Sequence, residues 1–217
     1  MTDIFREVDE DLKRDQAIQL WKRYGKYVIA FAVATVLATA GIVAWQNYRE
    51  KQRASEGRAF ALAMELVNRG DAAAASTAMG DIVNQGGGYR TLALLQEAGL
   101  KLRTGSKAAA AAIYDGIAAD GDIQQPFRDL ATILSALTNI DTAAAAATDK
   151  KIQPLLAPGS AFRPSALELE GLLALKQGDS KAAKKTFQEL ADDTTAPGGL
   201  RQRATQILTW IDEQGGA

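Results

Sequence analysis

The side chains that most enzymes rely on are missing from this chain. None of its 217 residues is a cysteine or a histidine. Disulfides, thiol nucleophiles, thiolate metal ligands, His-containing triads and imidazole zinc sites are therefore excluded. Carboxylate pairs, Ser–Lys dyads and carboxylate metal sites remain open in principle. We expect a non-catalytic protein with no catalytic, cofactor-binding or metal-binding residues.

The glycine triplet at residues 86–88 does not form a phosphate-binding motif. No Lys-Ser or Lys-Thr pair follows it, and the chain contains no GxGxxG pattern. The triplet predicts a flexible loop, and we expect no small-molecule substrate.

The charge balance gives no indication of a nucleic-acid partner or of a polybasic lipid-binding segment. The formal net charge is −1, with 25 Lys and Arg residues against 26 Asp and Glu residues. The first 26 residues hold six of each sign, which leaves 19 basic and 20 acidic residues for the remainder. Nucleic-acid binding usually requires a basic patch, so we expect no such partner.

An uncharged segment at residues 27–48 predicts one transmembrane helix. Its 22 residues would form a helix roughly 33 Å long, about the thickness of a hydrocarbon core. Aromatic and basic residues at both ends resemble interfacial anchors. These residues are Trp21, Lys22, Arg23, Tyr24 and Lys26 on one side and Trp45, Tyr48 and Arg49 on the other.

A cleaved signal peptide and a buried core helix are the alternative interpretations of this segment. A signal peptide would be cut after Ala40, but the apolar run continues to Trp45. The aromatic and basic flanks argue against a core helix. Six basic residues precede the span, so the positive-inside rule predicts residues 1–26 as a cytoplasmic tail and residues 49–217 as an exported domain.

A stripe of small residues on the predicted membrane helix is a candidate surface for a partner helix. Ala30, Ala34, Ala38 and Gly41 recur at helical spacing. Alanine is abundant in this span, so chance explains the stripe nearly as well. Other partner-binding residues cannot be named from the sequence.

The residues after the span predict helices throughout, and therefore an all-α fold. Ala, Leu, Lys, Gln and Glu dominate, and β-branched alternation is missing. Gly-Asp or Gly-Ser pairs at 70–71, 105–106 and 178–179 separate the apolar-periodic segments. Glycine supplies the left-handed residue after a helix, and Asp or Ser caps the next one. These pairs predict tight helical hairpins.

The spacing of these turns predicts a tetratricopeptide-like solenoid. The first two turns lie 35 residues apart, and the second and third lie 73 apart, with a further boundary expected near Asp141 and Thr142. Four hairpins with a period of about 34 to 37 residues follow, which is the period of tetratricopeptide repeats. The alternative is an ordinary Ala-rich helical domain whose turns happen to fall regularly.

Small and large residues recur at matching positions of three hairpins. The second helices pair a small residue with a large one four positions later: Ala75 with Met79, Ala110 with Tyr114, and Ala183 with Phe187. The first helices place a small residue seven positions before the turn glycine: Ala63, Ala98 and Gly171. The third hairpin departs from this pattern, with Leu134 at the small position and Lys150 at the large one.

The third hairpin is a candidate special surface because it breaks these rules and carries Pro154, Pro158 and Pro164 around its end. The alternative is a structural bend between two halves of the array.

Residues 200–213 predict an amphipathic helix that caps the open end of the stack. Its apolar stripe comprises Leu200, Ala204, Ile207, Leu208 and Ile211.

Seven segments of the chain match elements of one known family in the same order: residues 21–26, 44–48, 155–160, 163–164, 167–171, 178–179 and 196–204. The order of all the matching elements is more specific than any one motif. On these segments the chain resembles the ancillary Sec-translocon subunit family of the YfgM type, and the resemblance covers nearly the whole sequence.

This resemblance implies an inner-membrane protein of a Gram-negative bacterium with its repeats in the periplasm. Its implied partners are Sec translocon subunits and a membrane-anchored periplasmic chaperone of the peptidyl-prolyl isomerase type. The family has no catalytic residues to transfer. We expect a scaffold that recruits envelope chaperones to secreted chains. The alternatives are a direct holdase chaperone that binds unfolded clients, and a coordinator of envelope growth or division.

Overall fold

The computed structural model describes residues 3–141 and 145–215. Every regular element in these ranges is helical, which confirms the all-α prediction. The helices are α1 (Asp3–Arg69), α2 (Ala72–Gln85), α3 (Arg90–Arg103), α4 (Lys107–Ala119), α5 (Gln125–Asn139), α6 (Ala145–Ile152), α7 (Arg163–Lys176), α8 (Ser180–Asp192) and α9 (Gly198–Gly215), and a short 3-10 turn (Gln153–Leu156) follows α6.

The chain divides into two compact units, Met1–Ser55 and Glu56–Ala217. The second unit contains four helical hairpins, numbered here 1 to 4. Each consists of a first helix and a second helix: the end of α1 with α2, α3 with α4, α5 with α6, and α7 with α8.

Three of the hairpins are closed by nearly identical glycine turns, as predicted. Gly70, Gly105 and Gly178 have φ values of 80°, 79° and 78°, a conformation that glycine adopts without steric cost. In each turn the residue after the glycine donates its N–H to a carbonyl five residues earlier, for example Asp71 to Leu66 at 3.1 Å. These bonds satisfy carbonyls at the helix end that would otherwise lack partners.

The predicted caps of the second helices are only partly confirmed. The carboxylate of Asp71 accepts a hydrogen bond from the N–H of Ala74 at 3.1 Å, and that of Asp179 accepts one from Ala182 at 2.8 Å. Ser106 occupies the same position before α4, but its side chain makes no capping bond. The prediction of a serine cap is therefore wrong.

Small residues of the first helices pack against large residues of the second helices, as predicted. The pairs Ala63 with Met79, Ala98 with Tyr114, and Gly171 with Phe187 are all buried. At Gly171 the fit excludes any side chain, because an added Cβ would lie 2.7 Å from Phe187 Cε2.

The third hairpin keeps the same arrangement two residues later than predicted. The large position holds Ile152, which is 0% exposed, while Lys150 is exposed. Ala136 is the small residue of α5 and Thr148 that of α6, and both are buried. The predicted boundary at Asp141 and Thr142 adjoins residues 142–144, which lie outside the described part of the chain.

An N-terminal extension of α5 explains this shift. Both α3 and α7 begin eight residues before their small residue, whereas α5 begins eleven residues before Ala136. Pro126 occupies the first turn of α5, where its missing N–H costs no helical hydrogen bond. The interval between small residues is therefore 38 from Ala98 to Ala136, against 35 for the other two.

The loop at residues 86–88 encloses a carboxylate. Gly88 donates its N–H to Glu56 Oε2 at 3.0 Å. A Cβ on Gly87 would lie 2.6 Å from the same carboxylate. The ring of the following residue, Tyr89, packs on Phe60 with their centroids 5.3 Å apart. The close approach of Glu56 and a φ of 83° therefore explain Gly87, whereas Gly86 is explained by its φ of 73° alone.

The last helix covers the end of the stack, as predicted. Ala204, Leu208 and Ile211 of α9 are buried in one cluster with Phe187 and Leu190 of α8. The opposite face of α9 is polar and exposed. A polar outer face on the terminal helix is what a solenoid requires for solubility.

First helices of neighbouring hairpins contact one another in part of the stack. Within the described residues, α5 contacts α7 and α7 contacts α9, whereas α3 and α5 lack comparable contacts, as do successive second helices. In the first half, Ala63 of α1 shares a core cluster with Ala93 of α3.

Candidate partner-binding surface

One apolar position recurs at the same place in the register of each first helix, and these residues are called here the inner row. The residue four positions after the small residue is Val67 in α1, Leu102 in α3, Ile140 directly after α5, and Leu175 in α7. Trp210 of α9 lies 35 residues after Leu175 and continues the series.

The exposure of the inner row changes at its end. Val67 is buried, and Leu102, Ile140 and Leu175 are half-buried in their local core clusters. Trp210 is 52% exposed. Tryptophan often supplies a large share of interface energy, so Trp210 is a candidate binding residue.

Trp210 lies in a cleft of about 820 Å³, called here the C-terminal cleft. The ends of α7 and α9 and the first turns of α8 form its walls. Leu175, Trp210 and Ile211 supply the apolar part, and the polar part comes from Ser180, Lys181, Lys184, Asp212 and Gln214.

Two lysines and one aspartate line this cleft. Lys184 forms an ion pair with Asp212. Lys181 forms no ion pair with any described side chain. The excess positive charge favours an anionic group on whatever enters the cleft.

A hydrogen-bonded group of serine, lysine and aspartate ties hairpin 3 to hairpin 2. Ser135 of α5 is 0% exposed and donates its hydroxyl to Asp115 Oδ1 of α4 at 2.6 Å. Lys151 Nζ of α6 lies 2.8 and 2.9 Å from the two oxygens of the same carboxylate. The serine hydroxyl therefore bonds a carboxylate instead of a lysine amine, and it is closed to solvent. This arrangement is a structural tie between three helices.

Burial raises the pKa of one acidic group in the second half of the stack. The carboxyl of Glu170 on α7 is partly desolvated, and the nearby Asp149 of α6 raises its pKa further. Thr186 of α8 donates a hydrogen bond to it at 3.4 Å, which opposes the shift. No group of acidic residues in the described ranges is arranged to hold a metal ion.

The prolines of hairpin 3 surround a bend that Arg163 holds. Pro154 lies in the 3-10 turn after α6, and Pro164 lies in the first turn of α7. Arg163 Nε donates to the carbonyl of Leu156 at 3.1 Å, and its guanidinium forms an ion pair with Glu189. These contacts fix the connection between hairpins 3 and 4, and both the special surface and the structural bend stay predictions.

The small stripe on the predicted membrane helix lies along one exposed side of α1. Ala30, Ala34, Ala38 and Gly41 are exposed in this unit, and a Cβ on Gly41 would contact nothing within 4 Å. The stripe stays a prediction.

The region Leu20–Arg69 of α1 contains an 18-residue window with a mean hydropathy of 2.2, and none of that window is buried. It is a candidate membrane span by length and composition, and its exposure argues against a core helix.

The sequence interpretation missed the C-terminal cleft. It treated α9 only as a cap and did not extend the register of the hairpins into it. The 35-residue step from Leu175 to Trp210 was a signal that could have identified Trp210. The contributions of Lys181 and Lys184 depend on how α8 packs against α9, so sequence spacing could not reveal them.

Comparison with known proteins agrees with this architecture. A family model described as a tetratricopeptide repeat-like domain matches residues 19–208. Among solved structures, a tetratricopeptide repeat protein from Parabacteroides merdae is similar in fold, with a TM-score of 0.58 and 14% sequence identity. That match covers 74% of this chain and 61% of that chain, so this chain spans less than two thirds of the other's length. Curated protein sequences gave no match. Since the family model spans most of the sequence, the chain belongs to the tetratricopeptide repeat-like domain family.

Proposed function

We propose that this protein is a non-catalytic, membrane-anchored scaffold that binds other proteins through its helical repeats. The observation that carries the proposal is the inner row, which ends at a half-exposed tryptophan in an open cleft. Stacked helical hairpins present concave surfaces suited to extended peptides and helices.

Residues 27–48 would supply the membrane anchor. Arginine and lysine side chains lie beside aromatic rings at both ends of this segment, with 5.7 Å between Arg23 and the ring of Tyr24 and 5.4 Å between Arg49 and the ring of Trp45. Such pairs suit the interface between lipid and water. The proposed topology has residues 1–26 in the cytoplasm and residues 49–217 at the periplasmic face of the inner membrane.

The proposed partners come from the resemblance to ancillary Sec-translocon subunits. They are subunits of the secretion channel and a membrane-anchored periplasmic chaperone. In this arrangement the scaffold holds the chaperone close to chains that emerge from the channel. The stripe of Ala30, Ala34, Ala38 and Gly41 is a proposed contact for a partner helix within the membrane.

Crosslinked pull-down of the full-length protein from mild detergent tests this proposal. We expect channel subunits to co-purify. Replacing residues 1–48 with a cleavable export signal should weaken the association, because the anchor raises the effective concentration of the repeats near the channel.

The same experiment separates the competing functions. Reproducible capture of cell-wall enzymes without any secretion component would favour the coordinator of envelope growth or division. Prevention of aggregation of an unfolded model client, together with no channel capture, would favour the holdase chaperone.

A further inference from the structure

We propose that the C-terminal cleft binds a protein segment in which a bulky apolar side chain lies next to carboxylates. This inference rests on the proposed function, since it specifies the chemistry of the partner that the scaffold would bind.

The apolar part of the cleft is suited to one large side chain. Trp210 is 52% exposed, whereas Ile211 beside it is 7% exposed and part of the core. Leu175 contributes to both the core and the cleft wall. One side of Trp210 therefore adjoins core residues, and its other side is exposed to solvent. Covering it with an apolar partner group would remove a large apolar surface from water.

The charged residues of the cleft favour a partner segment with acidic residues next to its apolar side chain. Lys181 has no ion-pair partner among the described side chains, so a carboxylate can approach it without displacing another. Lys184 is already paired with Asp212, and this pair is solvent-exposed on both sides, so breaking it costs little. A basic segment would instead meet two ammonium groups.

The shape of the cleft favours a peptide over a membrane surface. Its volume of about 820 Å³ lies within the range of sites that enclose small ligands and side chains. A lipid surface is flat and could not follow these walls.

The test uses the full-length protein in nanodiscs of neutral lipid and a display library of random 12-residue peptides. We expect selected peptides to combine Asp or Glu with Phe, Trp, Leu or Ile. Their affinity should fall at least about tenfold in Trp210→Ala and in Lys181→Glu, and it should fall as salt concentration rises. Both side chains are exposed, so neither substitution should disturb folding.

Two control variants place the same kinds of substitution, a charge reversal and an apolar truncation, outside the C-terminal cleft. Lys150→Glu reverses an exposed charge on α6, and Leu62→Ala removes an apolar side chain that is 63% exposed on α1. Neither residue lines the C-terminal cleft. We expect both controls to bind the selected peptides as tightly as the unchanged protein.

Several results would overturn the proposal: no enrichment of peptides, enrichment of basic peptides, or equal binding by the Trp210→Ala variant. Binding of anionic vesicles that depends on Trp210 would replace the peptide with a lipid surface, and Trp210-dependent self-association would replace it with a second copy of the chain. Loss of peptide binding in Trp210→Ala with channel capture intact would separate this site from the scaffold function as a whole.

Discussion

Hairpins 3 and 4 contain the same packing arrangement but stabilise it by different means. In hairpin 4, Gly171 receives the ring of Phe187 directly, and a glycine turn joins the two helices. In hairpin 3, the corresponding pair is Ala136 and Ile152, and a buried serine connects α5 to α4 through Asp115. The difference teaches that the small–large pair recurs even where the contacts around it differ.

The largest difference between the hairpins should follow from removing the large residue. Phe187→Ala is expected to destabilise the second unit by about 3–5 kcal/mol, and Ile152→Ala by about 2–5 kcal/mol. The phenylalanine should cost more, because Gly171 provides no side chain that could move into the cavity. Urea unfolding of residues 56–217 measures both values. A larger loss for Ile152→Ala would contradict our view that hairpin 4 is the more tightly fitted.

Filling the small position provides the reverse test. Gly171→Ala places a methyl group 2.7 Å from Phe187 Cε2, and such overpacking costs about 1–3 kcal/mol. Gly99→Ala on α3 is the control, because a Cβ there meets nothing within 4 Å. We expect the control to be neutral or stabilising, since alanine favours helix. Equal effects at the two positions would show that the ring of Phe187 moves aside easily.

These pairs also show how far the sequence could be interpreted. Hairpins 1, 2 and 4 were predictable, because a glycine turn follows each first helix at a constant distance from the small residue. The small and large positions of hairpin 3 were predicted two residues too early. The cause is the extra turn at the start of α5, which no sequence signal near the end of that helix reveals. The tie between Ser135 and Asp115 and the contact of Glu56 with Gly88 span 20 and 32 residues. Such contacts depend on tertiary packing, which local patterns do not encode.

Removing the buried tie in hairpin 3 should have an intermediate effect. Ser135→Ala deletes the hydroxyl that donates to Asp115, and we expect a loss of about 0.5–1.5 kcal/mol, because Lys151 continues to satisfy the carboxylate. Lys151→Ala alone should cost less than about 1 kcal/mol, since the ion pair is solvent-exposed. The double variant should cost more than the sum of the two single variants, because Asp115 then loses both partners. Strict additivity in urea unfolding would argue against a coupled network.

The caps distinguish the glycine turns from one another, and the smallest expected effect is that of Ser106→Ala. Asp71→Ala and Asp179→Ala each remove a carboxylate that accepts a backbone N–H at the start of a second helix, and each should cost about 0.5–2 kcal/mol. Ser106→Ala should be nearly neutral, because its hydroxyl makes no such bond. Asp179→Asn keeps an acceptor oxygen and should retain most of the stability. If Ser106→Ala proved as costly as the aspartate variants, the serine would cap α4 in solution, and all three glycine turns would be equivalent.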